Sequence, residues 1–204
     1  MTESLNGDSV FLFMRDMSLA TLITDDVVTL RPFQMEDADQ LYSAVRESLA
    51  DVKPWMSWAH DDYSPEEARS FIAITRARWE ENTLFAFTIT DANTDELVGG
   101  ISLSHLHPVY HLCNVGYWVR TSRHGQGIAG RATRLATRFG FEQAGIVRAE
   151  IVIAVGNQKS IRVAEKLGAH YEGILLNRMV VGRSVYDAHM YLIIPQDFGL
   201  VARL

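Results

Sequence analysis

The sequence has little of what disulfide-rich, membrane-spanning and nucleic-acid-binding proteins require. It holds one cysteine, Cys113, in 204 residues, which excludes an internal disulfide framework and favours a reducing compartment such as the cytoplasm. Cys113 lies in an apolar segment, where cysteine is more often a packing residue than a nucleophile. No apolar run in the sequence approaches the roughly 20 residues that cross a bilayer. The net charge of -6 gives no general attraction to nucleic acid or to anionic membranes.

The N-terminal segment carries an apolar patch at residues 10–14. It has no basic region before that patch and no small-residue cleavage site after it, so a secretory signal peptide is not predicted. We expect residues 1–26 to form an extension that packs on its own domain or on a partner subunit. Residues 27–204 are expected to form a single domain, and the apolar extension makes a homodimer a further expectation.

Hydrophobic periodicity predicts that strands and helices share the rest of the chain. Strands are expected at residues 27–32, 84–90, 97–103, 112–120, 149–155, 170–177 and 183–194, and helices at residues 36–49, 64–81, 128–144 and 157–168. This order predicts an α/β fold with a mixed, mostly antiparallel central sheet and helices on both faces. It also predicts one parallel strand–helix–strand crossover, over residues 112–155, of right-handed sense.

Three glycines, Gly125, Gly127 and Gly130, follow the strand at residues 112–120 and open a helix. Glycine adopts positive φ without strain and lets the backbone approach a ligand. The unpaired N–H groups at a helix start bind anions, so this turn predicts a phosphate site. The sequence of this turn also matches the dinucleotide-binding motif G-x-G-x-x-G. A polar loop separates strand from glycine, however, and no acidic residue ends the next strand, so a dinucleotide site is the less favoured alternative.

The residues around these glycines are similar to those of a known family. GYWV at residues 116–119 and HGQGIA at residues 124–129 resemble the acetyl-CoA loop of the GNAT (GCN5-related) N-acetyltransferases, closest to the RimJ/RimL branch. Further similarity to that branch lies at residues 30–32, 157–168, 172–173 and 186–191. The resemblance implies the acyl-CoA N-acyltransferase fold and acetyl-CoA as co-substrate, without a metal. It also implies direct attack of an amine on the thioester, with both substrates bound.

The resemblance implies a set of cofactor-binding residues. The cofactor pyrophosphate is expected at the glycine loop, and the residues assigned to it are His124, Gly125, Gln126, Gly127, Ile128, Ala129 and Gly130. Because His124 occupies a position that usually holds Arg or Gln, Arg123 is a second candidate for the charge. The backbone of Tyr117, Trp118 and Val119 is expected to pair with pantetheine, and the Val119 N–H to act as an oxyanion donor.

Two residues at the start of the last predicted helix complete this assignment. Asn157 is an ordinary helix N-cap, and the resemblance adds a hydrogen bond to the pantetheine arm. Ser160 is expected to protonate the departing thiolate. The alternative for Ser160 is a solvated serine in a first helical turn.

The residue that would take the amine proton is not evident in the sequence. The RimL-like glutamate position falls on Met179, and Asn114 stands at another position where relatives often carry glutamate. His105 is therefore the candidate base, with His107 and His111 as further candidates, because histidine titrates near neutral pH. The alternative for each histidine is an ordinary loop residue.

The missing glutamate bears on which amine is acetylated. A peptide α-amine, with a pKa of about 7.7–8.0, is partly neutral at pH 7 and needs only a weak base, whereas a lysine near 10.4 needs a strong one. Trp55, Trp58 and Asn114 are expected at the acceptor site, with core packing as the alternative for the tryptophans. The favoured function is acetyl transfer to a protein or peptide N-terminal α-amine or a small amine. The alternative is a non-catalytic acyl-CoA-binding module on the same fold.

Overall fold

The computed structural model describes residues 18–202, which are built around one eight-stranded sheet. Its strands are β1 (Ile23–Thr24), β2 (Val28–Pro32), β3 (Phe85–Asp91), β4 (Leu97–His107), β5 (Leu112–Val119), β6 (Arg148–Ala154), β7 (His170–Val181) and β8 (Ser184–Ile193). They lie in the order β1-β2-β3-β4-β5-β6-β8-β7. Within these residues only β5 and β6 pair in parallel. The predicted mixed, mostly antiparallel sheet with one parallel crossover is confirmed.

In the described residues four α-helices cover the two faces of the sheet, α1 (Ala38–Val52), α2 (Pro65–Glu80), α3 (Ile128–Glu142) and α4 (Gln158–Leu167). Helix α2 begins with a capping box between Ser64 and Glu67, with Pro65 in its first turn. Helix α4 is capped by Asn157 and ends at Gly168. None of the helices in residues 18–202 combines the length and apolar character of a membrane span.

The side chains of β3 point alternately to the two faces of the sheet, and their partners show which helices lie on each face. Phe85 and Phe87 belong to the larger core with α3 and α4, where both rings contact Phe139 edge-on. Ala86, between them, belongs to the smaller core under α1 and α2. Successive strand residues point to opposite faces, so these two cores place α1 and α2 on one face and α3 and α4 on the other.

Several strand boundaries differ from the sequence prediction. Strand β4 runs on to His107, so His105 lies in a strand rather than after one. Strand β7 continues to Val181 past an irregularity at residues 175–179. Bulges interrupt the alternation of side chains, which makes a strand look shorter in the sequence than it is. Strand β1, within the expected extension, pairs with β2; the apolar patch at residues 10–14 lies outside the described residues.

The parallel pair in the middle of the sheet is short. Leu112 to Asn114 of β5 lie in register with Arg148 to Glu150 of β6, and the pairing then stops. Beyond that point β5 follows β4 as far as Val119, while β6 follows β8. The two strands therefore diverge, and a gap opens in the sheet toward the starts of α3 and α4.

Candidate active site

A cavity of about 960 Å³ fills the gap between β5 and β6 and continues into the groove between α3 and α4. It contains all the predicted cofactor-binding residues except Gln126, namely Tyr117, Trp118, Val119, His124, Gly125, Gly127, Ile128, Ala129, Gly130, Asn157 and Ser160. The sequence therefore identifies most of one wall. The other wall includes Val52, Trp55 and Met56, from the end of α1 and the loop after it.

The glycine loop is shaped for close approach of a ligand. Gly125 and Gly127 both have φ of 78°, a left-handed conformation that favours glycine. A Cβ atom on either residue would meet no other atom within 4 Å. Gly127 is the N-cap of α3, and the first N–H groups of that helix have no intrahelical acceptor.

The groove between α3 and α4 is cationic although the whole protein is acidic. Its basic lining residues are Arg131, Arg134, Arg138, Lys159, Arg162 and Lys166. Arg131 pairs with Asp25 at 2.7 Å, and the Arg134 guanidinium lies 5.0 Å from the centre of the Phe198 ring. Arg123, the second candidate for the loop charge, is already paired with Asp91 and Glu96. The six basic groove residues outnumber the three carboxylates in the cavity lining, which are Asp25, Asp51 and Asp197, so the excess positive charge of the site lies in the groove.

The backbone of β5 presents polar groups to the gap. Arg120 donates its N–H to the Val98 carbonyl at 2.8 Å, and β4 and β5 are antiparallel. Outward and inward groups alternate along such a ladder, so the N–H and C=O of Tyr117 and Val119 point away from β4. The Val119 carbonyl lies 2.9 Å from Nε2 of His124. The Val119 N–H points into the gap.

The first turn of α4 lies against Tyr117. Asn157 accepts the Ser160 N–H at 3.2 Å through its side-chain oxygen, which is the capping bond that the sequence predicts. The Tyr117 hydroxyl lies 3.5 Å from the Ser160 carbonyl. Burial raises the pKa of Tyr117 to about 12, so the phenol stays protonated at neutral pH. The sequence analysis assigns a role only to the backbone of Tyr117. Side chains alternate between the two faces of β5, and that of Tyr117 faces the cleft.

An ionic contact that the sequence did not indicate links the two walls of the cleft. The Asp51 carboxylate lies 2.5 Å from Nζ of Lys159 and accepts the Thr121 hydroxyl at 2.7 Å. These two contacts, the one to Lys159 first, lower the pKa of Asp51. Asp51 thus joins α1 to the β5–α3 loop and to α4.

Of the three residues predicted at the acceptor site, one lines the cavity and two lie outside its lining. Trp55 lines the cavity, and its ring would lie 3.7 Å from a Cβ atom on Gly156. Trp58 lies outside the cavity lining, 40% exposed, with its ring edge-on to Trp118 at 6.0 Å. Asn114 also lies outside the lining, with its amide nitrogen directed toward Gly116.

The candidate base His105 is not brought to the cavity. It is exposed, has φ of 51°, and its Nδ1 lies 3.3 Å from the hydroxyl of its neighbour Ser104. The pairing of β4 with β5 is irregular at this residue, which is not among those that line the cavity. His107 stacks on Tyr110, and His111 contacts the Gly145 carbonyl at 3.2 Å. Among residues 18–202 no three His, Cys, Asp or Glu side chains cluster as metal ligands would.

Comparison with known proteins identifies the family. A family model described as acetyltransferase (GNAT) domain matches residues 28–170, so the chain belongs to the GNAT acetyltransferases. It is an acetyl-CoA-dependent N-acetyltransferase of the RimJ/RimL-like branch. The predicted family, fold and co-substrate are confirmed, and the non-catalytic alternative is not favoured.

Three relatives illustrate the similarity. YjcK of Bacillus subtilis, named as a probable N-acetyltransferase, is 29% identical and covers 86% of this chain and 99% of its own. The ribosomal-protein-serine acetyltransferase of Escherichia coli is 24% identical over 74% of this chain and 83% of its own. A Vibrio cholerae structure assigned as a ribosomal-protein-serine acetyltransferase has a TM-score of 0.78 and 26% identity, and the match covers 88% of this chain and all of that one.

Proposed function

We propose that this enzyme transfers the acetyl group of acetyl-CoA to the N-terminal α-amine of a protein or peptide. The observation that carries the proposal is a cavity that passes through the sheet at the β5–β6 gap. On the α3–α4 side it is a cationic groove, and on the α1 side it has an aromatic mouth that includes Trp55 and Trp118. A cofactor in the groove and an amine at the mouth approach each other from opposite faces, as direct attack requires.

The described residues fit acetyl-CoA. The open space where side chains at Gly125 and Gly127 would project suits a pyrophosphate bound by the first N–H groups of α3. The inward backbone groups of Tyr117 and Val119 suit a pantetheine chain laid along β5. In this proposal the Val119 N–H donates to the oxygen of the reacting carbonyl, where negative charge develops. Acetyl-CoA supplies the activated acetyl group.

Two arguments support an α-amine over a lysine. An α-amine is roughly 10–20% neutral at pH 7, which lowers the demand on a base. The Escherichia coli relative named above is a ribosomal-protein-serine acetyltransferase. Three further parts of this proposal rest on the sequence alone. They are a cytoplasmic location, a homodimer, and a single domain over residues 27–204.

An acceptor panel tests this function. Thiol release from acetyl-CoA is measured with peptides that carry a free N-terminus and an internal lysine, with the same peptides blocked at the N-terminus, and with spermidine. We expect turnover with the free peptides and none with the blocked ones. Equal turnover of free and blocked peptides would assign the internal lysine, and turnover with spermidine alone would assign a small amine; either result would contradict the α-amine. Tight CoA binding without turnover on any amine would favour a binding module.

A further inference from the structure

Asn114 and Glu150 are the last registered residues of β5 and β6 before the two strands diverge. Registered neighbours in a parallel pair project on the same face of a sheet. The preceding pair, Cys113 and Ala149, is buried in the core under α3 and α4. The side chains of Asn114 and Glu150 therefore lie on the opposite face, where the gap begins, and neither residue is among those that line the cavity.

This face is the one proposed for the acceptor amine. Trp118, two strand positions along from Gly116, points to the same side and lines the mouth of the cavity. Helices α1 and α2 cover β3 and β4 on this face. The Glu150 side chain keeps 15% exposure, so its carboxylate is reached from solvent.

The carboxylate of Glu150 is held in place by one neighbour. Oε1 of Glu150 lies 2.8 Å from Nε of Arg148, while both terminal nitrogens of Arg148 bind Glu172, at 3.0 and 2.6 Å. The three side chains together carry one net negative charge. Within the described part of the chain, the contact between Arg148 and Glu150 involves only Oε1 of the carboxylate. Oε2 of Glu150 is therefore available to another donor.

We propose that Glu150 is the catalytic carboxylate that holds the acceptor amine and takes its proton, one strand away from Asn114. The amine nitrogen attacks the thioester carbonyl carbon and forms the C–N bond, and Glu150 takes one proton from that nitrogen. The C–S bond breaks with its electron pair on sulfur, the thiolate takes a proton from solvent, and Glu150 returns its own proton to solvent. The inference rests on the proposed acetyl transfer to an amine but not on which amine is used.

The test compares two carboxylates that contact the same arginine. Glu150→Gln and Glu172→Gln each remove one negative charge, and only the first lies where the gap begins. The full-length variants are assayed on the acceptor that the unaltered enzyme uses fastest, so an error in the substrate class leaves the comparison intact. We expect Glu150→Gln to lower kcat by about 100-fold, the scale of a lost general base, and Glu172→Gln to stay within threefold.

Three further measurements separate catalysis from folding. The Kd for acetyl-CoA should stay within twofold in Glu150→Gln, and Glu150→Asp, which keeps a carboxylate, should recover part of kcat. The deficit of Glu150→Gln should shrink at high pH, because solvent hydroxide then removes the proton. An unchanged kcat in Glu150→Gln, an equal loss in Glu172→Gln, or a parallel loss of acetyl-CoA affinity would each overturn the assignment.

Discussion

Asp51 and Lys159 form an ion pair of 2.5 Å that joins the end of α1 to the first turn of α4. The two helices lie on opposite faces of the sheet, and both residues line the cavity. The pair therefore spans the gap through which the two substrates meet. The Thr121 hydroxyl, bound to the other oxygen of Asp51, adds the β5–α3 loop to the same contact.

We expect Asp51→Asn to lower the free energy of unfolding at pH 7 by about 0.2–1 kcal/mol, the range for ion pairs that solvent partly screens. The pKa of Asp51 is lowered in the folded protein, so its contribution is present above the unfolded pKa and is lost as pH falls through the folded one. The difference between the two proteins should therefore disappear at acidic pH. Urea unfolding at pH 7, 5 and 3 measures this change.

The matched control for Asp51 is Asp61→Asn, which removes an equally short ion pair, to Lys53, at an exposed place outside the cavity. Its effect at pH 7 should be smaller. A stability loss in Asp51→Asn that is the same at pH 3 as at pH 7 would contradict an ionic contribution and point to the Thr121 contact alone.

Gly127→Glu should abolish acetyl-CoA binding, because it places a carboxylate where the pyrophosphate is proposed to bind. Isothermal titration with CoA measures the effect, which we expect to exceed 100-fold in Kd. The strain of a side chain at positive φ, about 1–2 kcal/mol, is controlled by Gly145→Ala. Gly145 has φ of 64° and lies outside the cavity lining, so this variant should lose stability but retain CoA affinity. Wild-type affinity in Gly127→Glu would refute the loop assignment.

Local sequence features were enough to predict the element order and the glycine loop. Hydrophobic periodicity and positive-φ glycines are encoded within a few residues. Glu150 was missed because its position beside Asn114 follows from strand register, and the two residues lie more than thirty positions apart in the chain. Asp51 was missed for the same reason, since its partner Lys159 lies on a distant helix. His105 lies within β4 rather than after a strand, because the irregular pairing of β4 with β5 at this residue is not evident from the sequence.

Ser160→Ala should lower kcat by about tenfold while the Kd for acetyl-CoA changes less than twofold. The alanine keeps the backbone N–H that Asn157 caps and removes only the hydroxyl that is proposed to assist the thiolate. Tyr117→Phe provides the comparison, because the Tyr117 phenol lies beside the same turn. Pre-steady-state thiol release measures both variants. A loss confined to Tyr117→Phe would assign the proton to the phenol and contradict the role of Ser160.

Gly99→Ala should destabilise the protein by about 3 kcal/mol, the upper end for an overpacked core. A Cβ atom on Gly99 would overlap the Trp118 carbonyl oxygen and lie 3.2 Å from the Val119 Cα, and backbone atoms cannot rotate aside. Gly116→Ala is the matched control on the next strand, since its Cβ would meet only side chains, the nearest at 3.7 Å. Its stability should change by less than about 1 kcal/mol. Because relief of the overlap requires β5 to move, Gly99→Ala should also weaken CoA binding in calorimetry. Equal stability of Gly99→Ala and Gly116→Ala would contradict this prediction, because it would show that β4 and β5 separate without cost.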